Sequence, residues 1–364
     1  SLKMAFNLFV MRVFLLFAAA AFLGGGAARA AEVVPATSYF PVLPIEASAD
    51  AEPQYVPLAV NQLMSSNHKD VTRAIVVIHD EGRDAMAAAA IMTTLAGSLN
   101  ASTIILAPQF LMPSDIVRFA DYLPDQGKEF AAWQVLAWSW GDDSMPVGKR
   151  KSVSSFTVVD LLLMYLSDKE TFPDLKEIVV AGYGAGANFV QRYAVFTGAT
   201  DIVNNQDIIV RYLAAAPSSY LYVTNVRPMG GKSGFAPPNA AECPMINAYP
   251  YGLEKLNPYA RRTGANAAKV DYSRRFLTYL YMQSPEPIPD LSCAAAAQGG
   301  SGLARAENFR LYLHTLYGDV VSRTQTFARA KGERNDAVTM FGSACGMAVL
   351  FGDGMCAPSE GGIR

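Results

Sequence analysis

The residues Gly182-Tyr183-Gly184-Ala185-Gly186 follow the β-branched run Ile178-Val179-Val180-Ala181 and precede a helical stretch from about Ala187 to Thr197. Such a strand–turn–helix places its central residue at a helix N-terminus, in a strained backbone conformation. A hydroxyl there attacks a carbonyl while the next backbone N–H holds the oxyanion. The flanking glycines let strand and helix approach closely. The centre here is Gly184, which has no side chain to acylate. Three histidines are available as bases: His68, His79 and His314. His79 is followed by Asp80 and Glu81, so an imidazole beside a carboxylate is one conceivable water-activating pair. Its plain alternative is a histidine that hydrogen-bonds neighbouring loops. Ser218-Ser219 offers a further pair of hydroxyls, and Asp142-Asp143-Ser144 reads as a solvated turn.

The elements that must position these residues alternate between strand and helix. Ala74 to Ile78 and Thr103 to Ala107 are continuous apolar runs of strands buried on both faces, and Val135 to Trp138 is a further strand candidate. Between the first two, Asp84 to Leu99 reads as a helix. Ser154 caps a helix whose Val158, Leu161, Leu162, Tyr165 and Leu166 keep helical spacing. Ile208 to Ala216, Arg275 to Met282 and Gln325 to Ala330 read as strands, and Gly302 to Tyr317 and Ala337 to Phe351 as helices. This alternation predicts a mostly parallel sheet covered by helices on both faces. Residues 31–70 show little periodicity and read as an extended lead-in to a domain over 71–364, with a Pro-, Gly- and Tyr-rich, cap-like insertion at about 228–262.

Only 17% of the 364 residues are charged, with both signs mixed, so no basic surface recommends nucleic acid as a partner. Met11-Arg12, the apolar run Val13 to Leu23 and Ala28-Arg29-Ala30 have the order of an export signal over residues 1–30, preceded by a short upstream extension. Cleavage before Ala31 removes Lys3, Arg12 and Arg29 and no acid, which leaves a mildly acidic chain without a transmembrane segment. The expected location is periplasmic or secreted. Four cysteines, Cys243, Cys293, Cys345 and Cys356, suit two disulfides in an exported chain. Three connectivities are possible. Proximity favours Cys345–Cys356, which leaves Cys243–Cys293. The spacings do not suit zinc, and no metal or cofactor is expected.

Beyond the turn at Gly184, a series of short stretches carries a resemblance. These include Arg73-Ala74 through His79, Ala107-Pro108-Gln109-Phe110, Ser154-Ser155-Phe156 and Phe172-Pro173-Asp174-Leu175-Lys176. Further on come Gln191-Arg192-Tyr193-Ala194, Pro217-Ser218-Ser219-Tyr220, Tyr251-Gly252-Leu253, Gln298-Gly299 and Met340 through Gly346. In this order they resemble secreted bacterial-type α/β hydrolases, esterase- or lipase-like, whose elbow reads A-G-H-S-A-G-G. The likeness runs from about Val71 to Phe351 and implies the α/β-hydrolase fold, with Ser218-Ser219 as part of its scaffold.

The resemblance also implies where a Ser–acid–His triad belongs, in that chain order. The serine falls on Gly184. The acid falls on Pro285, where relatives read Y-L-L-G-E-x-D against Tyr279 to Pro285, with Glu286 one residue on as a substitute. The histidine of G-x-G-H-D falls on Asn335 in Gly332 to Asp336. The oxyanion-hole-like positions are Asp80, where relatives carry glycine, and Ala185. Glycine cannot be acylated, and asparagine takes up no proton near neutral pH. The expectation is a degenerate hydrolase acting as a binding or interaction protein, for a small apolar or ester-like ligand or a protein partner. The alternative is an exported ester hydrolase with a non-standard apparatus, such as His79 with a carboxylate.

Overall fold

The structure is a computed structural model and describes residues 33–230, 233–282, 290–330 and 334–356. The expected export signal and its cleavage site, Pro285 and Glu286 all lie outside the described residues.

Eight strands form one sheet: β1 (Ser38–Val42), β2 (Gln54–Val60), β3 (Arg73–Ile78), β4 (Thr103–Pro108), β5 (Glu177–Tyr183), β6 (Ile209–Ala215), β9 (Phe276–Met282) and β10 (Gln325–Ala330). Their order is β1-β2-β4-β3-β5-β6-β9-β10. Six strands from β4 through β10 pair in parallel, while β1 with β2 and β2 with β4 are antiparallel. The short strands β7 (Arg227–Pro228) and β8 (Phe235–Ala236) pair separately, within the stretch read as a cap-like insertion.

Alternate residues of the central strands feed two cores. Ala74, Val76, Ile78, Ile178 and Val180 join one, which is packed by the helices α2 (Ser155–Leu166), α3 (Ala185–Phe196) and α4 (Gly302–Tyr317). Ile75, Val77, Val179 and Ala181 join the other, packed by α1 (Ala85–Ala96), α5 (Ala337–Phe341) and α6 (Ala344–Phe351). Both faces are therefore dry, which is why these strands read as unbroken apolar runs. α1 and its 3-10 extension to Ser102 are apolar enough to cross a membrane by composition, but Ala85, Ala89, Met92 and Ala96 are buried in the second core.

Three local expectations are corrected. The lead-in 31–70 contributes β1 and β2 to the sheet. Each carries a proline, Pro41 and Pro57, which hides the strand signal. Both are tolerated because β1 is the edge and Pro57 lies just outside the Leu58–Val60 stretch that pairs with β4. Val135 to Trp138 is not a strand: Leu136 is left-handed (φ 57°) and a 3-10 turn covers Ala137–Trp140. The final helix is two helices. Ser343 caps α6 by accepting from Gly346 N–H, and a Cβ on Gly346 would collide with the carbonyl of Phe341. Two disulfides, Cys243–Cys293 and Cys345–Cys356, tie down the 228–262 stretch and the segment after α6.

Candidate functional site

The strand order reverses at β3, whose neighbours are β4 on one side and β5 on the other. Sites in open α/β sheets lie at the carboxyl ends of strands around such a point. A cavity of about 580 Å³ opens there, lined by Asp80 and Glu81 after β3, Tyr183 to Ala185 at the end of β5, and Ala216 to Ser218 after β6.

Gly184 is the N-cap of α3, with φ 58° and ψ −118°, a conformation in which a side chain is strained. Its neighbours fix the approach of strand and helix. A Cβ on Gly182 would overlap the carbonyl of Gly186, and a Cβ on Gly186 would overlap that of Ile78. At Gly184 the obstacle is different. A Cβ would lie 2.7 Å from Cγ of Asp80 and closer still to its Oδ1. The carboxylate of Asp80 covers the turn, and its Oδ1 accepts from the backbone N–H of Ala185 at 2.8 Å.

Asp80 is held from behind. Its carbonyl accepts from Nδ1 of His79 at 2.9 Å and from the N–H of Arg83 at 2.9 Å. Arg83, itself left-handed at φ 55°, is paired with Asp115 at 2.6 Å. The other nitrogen of His79, Nε2, accepts from the N–H of Phe110 at 3.0 Å. His79 is 2% exposed and lies against Trp138 and Phe110. Burial pushes its pKa down to about 4, so it is neutral with the proton on Nδ1 and both nitrogens engaged.

Asn335 borders the same cavity. The hydroxyl of Tyr183 donates to its carbonyl at 2.7 Å and lies 3.2 Å from its Oδ1. Gly184, Ala185, Asp80 and Asn335 are thus brought together. His68 stacks on Phe172 and His314 pairs with Ser322, and neither borders the cavity. Among the described residues, no histidine, lysine or arginine side chain lines it, and no group of three metal-ligating side chains occurs.

One wall is the segment 217–221, held by side chains from two helices and the turn before α4. Asn188 accepts from Ser218 N–H at 3.0 Å and donates to its Oγ at 2.8 Å. Arg192, fully buried with its pKa lowered to about 10 by desolvation, donates to the carbonyl of Ser219 at 2.6 Å and to its Oγ at 3.0 Å. Gln298 bonds both backbone groups of Tyr220, Gln191 takes the N–H of Leu221 at 3.0 Å, and Arg305 donates to the carbonyl of Ser218. Ser218 and Ser219 therefore serve as anchors, and among the described residues neither hydroxyl is bonded to a histidine or a carboxylate. The same network accounts for the spacing of Gln191-Arg192, Ser218-Ser219 and Gln298 along the chain. Leu136, the exposed Val135 and Trp140 also line the cavity, and the Arg192 guanidinium lies 5.0 Å from the Trp140 ring centre. Tyr251, from the 228–262 stretch, and Asp290 complete the mouth, joined by a 2.9 Å hydrogen bond.

The sequence matches no protein-family model and no curated protein. Solved structures do match. One is the poly(3-hydroxybutyrate) depolymerase LpqC from Bordetella parapertussis, at 16% identity and a TM-score of 0.55, over 88% of this chain and 91% of that one. Another is poly(aspartic acid) hydrolase-1 from Sphingomonas sp. KT-1, at 18% identity and a TM-score of 0.51, over 84% and 96%. The strand order, the strained turn between β5 and α3 and these two likenesses agree: the chain has the α/β-hydrolase fold.

Proposed function

We propose that this chain is a pseudohydrolase: an α/β-hydrolase fold that has lost the triad and uses the inherited cavity to bind a ligand. The observation that carries the reading is the occupancy of the elbow. Where a nucleophile's side chain would project there is none, and the space is taken by the carboxylate of Asp80. That carboxylate also consumes the N–H of Ala185, the donor an oxyanion needs. Asn335, assigned to the base position by resemblance, faces the cavity and cannot accept a proton. His79 does not replace it, because both nitrogens are bonded and burial opposes its protonation. Loss of triad members costs about 10⁴ to 10⁶ in rate. The 228–262 excursion acts as the cap of this cavity, to which it contributes Tyr251. Two disulfides support export, with the mature chain starting at Ala31.

The test combines an activated short-chain ester with a serine-directed fluorophosphonate probe on the purified mature protein. Hydrolysis no faster than a heat-denatured control, with no labelled serine, is the expected result. Stoichiometric labelling of a folded-state serine, Ser218 or Ser219 above all, would overturn the reading.

A further inference from the structure

We propose that Asp80 is a built-in occupant of the elbow's anion position, and that it sets the charge preference of the cavity: anions are turned away and an organic ammonium is taken in. The proposal deepens the pseudohydrolase reading by naming the ligand class.

The first part of the argument is steric and electrostatic. α3 has twelve residues and no side-chain cap of its own, so its first N–H groups are open donors beside the positive end of the helix. A ligand carboxylate or phosphonate would settle there. Oδ1 of Asp80 already accepts from Ala185, and the whole carboxylate lies over Gly184. The bonds from His79 and Arg83 to its carbonyl fix the backbone that aims it. An incoming anion meets a filled donor and a like charge.

The second part concerns the remaining wall. Asp80 is exposed and lines the cavity, and among the described residues no cationic side chain shares that lining. Asp290 contributes a second carboxylate at the mouth, hydrogen-bonded by Tyr251. Trp140, Tyr183 and Tyr220 also line this space, Tyr220 buried with its ring stacked on Phe309 and Trp140 with the Arg192 guanidinium 5.0 Å from its ring centre. Arg192 and Arg305 stay buried behind this wall, so the carboxylates on the lining form a setting that receives an alkylammonium by ion pairing.

A matched pair of probes tests this, benzylammonium and benzoate, titrated by calorimetry at low ionic strength into the parent, Asp80→Asn and Asp80→Gly. The parent is expected to favour benzylammonium by about tenfold or more, as a single exposed charge would give. Asp80→Asn keeps the shape and the acceptor for Ala185 but removes the charge, so the preference should fall to within about twofold, through weaker benzylammonium binding and a benzoate gain smaller than in Asp80→Gly. Asp80→Gly empties the donor, and benzoate should gain about tenfold. Circular dichroism and melting confirm that each variant is folded, and Asp80→Asn carries the test if Asp80→Gly is not. A parent that prefers benzoate, an ammonium preference unchanged in Asp80→Asn, or a folded Asp80→Gly without benzoate gain overturns the proposal. Absence of binding by either probe to any of the three proteins does the same, and it leaves the absence of hydrolysis standing as a separate result.

Discussion

Restoring a serine at the elbow should cost more than backbone strain, and the excess should vanish when Asp80 is removed. Gly184 has φ 58° and ψ −118°, where a non-glycine residue pays about 1–3 kcal/mol. The new Cβ also displaces the Asp80 carboxylate from Ala185 N–H. A partly exposed, charge-assisted hydrogen bond at a helix N-terminus is worth about 1 kcal/mol. Gly184→Ser alone should therefore lose about 2–4 kcal/mol. In an Asp80→Gly background the same substitution should lose only the strain. A double-mutant cycle from urea unfolding at neutral pH then gives a coupling of about 1 kcal/mol, with the double variant more stable than the sum of the singles. Additivity within about 0.4 kcal/mol would refute the claim that Asp80 fills the nucleophile's space. The double variant should still be inert towards an activated ester, since triad members act as a unit. Addition of Asn335→His should bring the first measurable hydrolysis, because Asn335 borders the cavity beside the elbow.

His79 predicts how stability follows pH. Its folded pKa is lowered from 6.5 to about 4, so the neutral form is favoured and its contribution is full above pH 6.5. It is lost as pH falls towards 4, by about 2 kcal/mol between pH 7 and pH 5; a folded His79→Gln variant should lack this slope in urea titrations. The disulfides predict a ranking. The bridge Cys243–Cys293 spans 50 residues and Cys345–Cys356 spans 11, so loss of the first should cost about 4 kcal/mol and of the second about 3 kcal/mol in the chain-entropy model. Melting curves of paired Cys→Ser variants measure the order, and equal losses would count against an entropic origin.

The parallel core was legible because burial on both faces writes strands as apolar runs. Ala74 to Ile78, Thr103 to Ala107 and Ile178 to Ala181 are such strands, and Gly302 to Tyr317 is α4 with the expected bounds. β1 and β2 were not legible, since Pro41 interrupts the edge strand and Pro57 interrupts β2 just outside its pairing with β4. Leu136 defeated the strand reading at 135–138, because no local pattern announces a left-handed leucine. At the elbow, the sequence showed which side chain is absent from position 184 but not what stands in its place. Asp80 and Ala185 are 105 residues apart, and only the pairing of β3 with β5 sets one beside the other. Asp80 was a departure from glycine in the sequence; in the fold it is a hydrogen-bond acceptor with a defined partner.

The anchored segment 217–221 bears on how quickly a ligand is captured. Its backbone is gripped by Asn188, Gln191, Arg192, Gln298 and Arg305 before anything enters the cavity. That wall has no ordering left to do on contact, so it adds no slow rearrangement and withholds no fraction of the molecules from the encounter. Observed association rates should rise in proportion to ligand concentration, in a single phase and without a plateau, and differences among ligands should appear in how long each one stays.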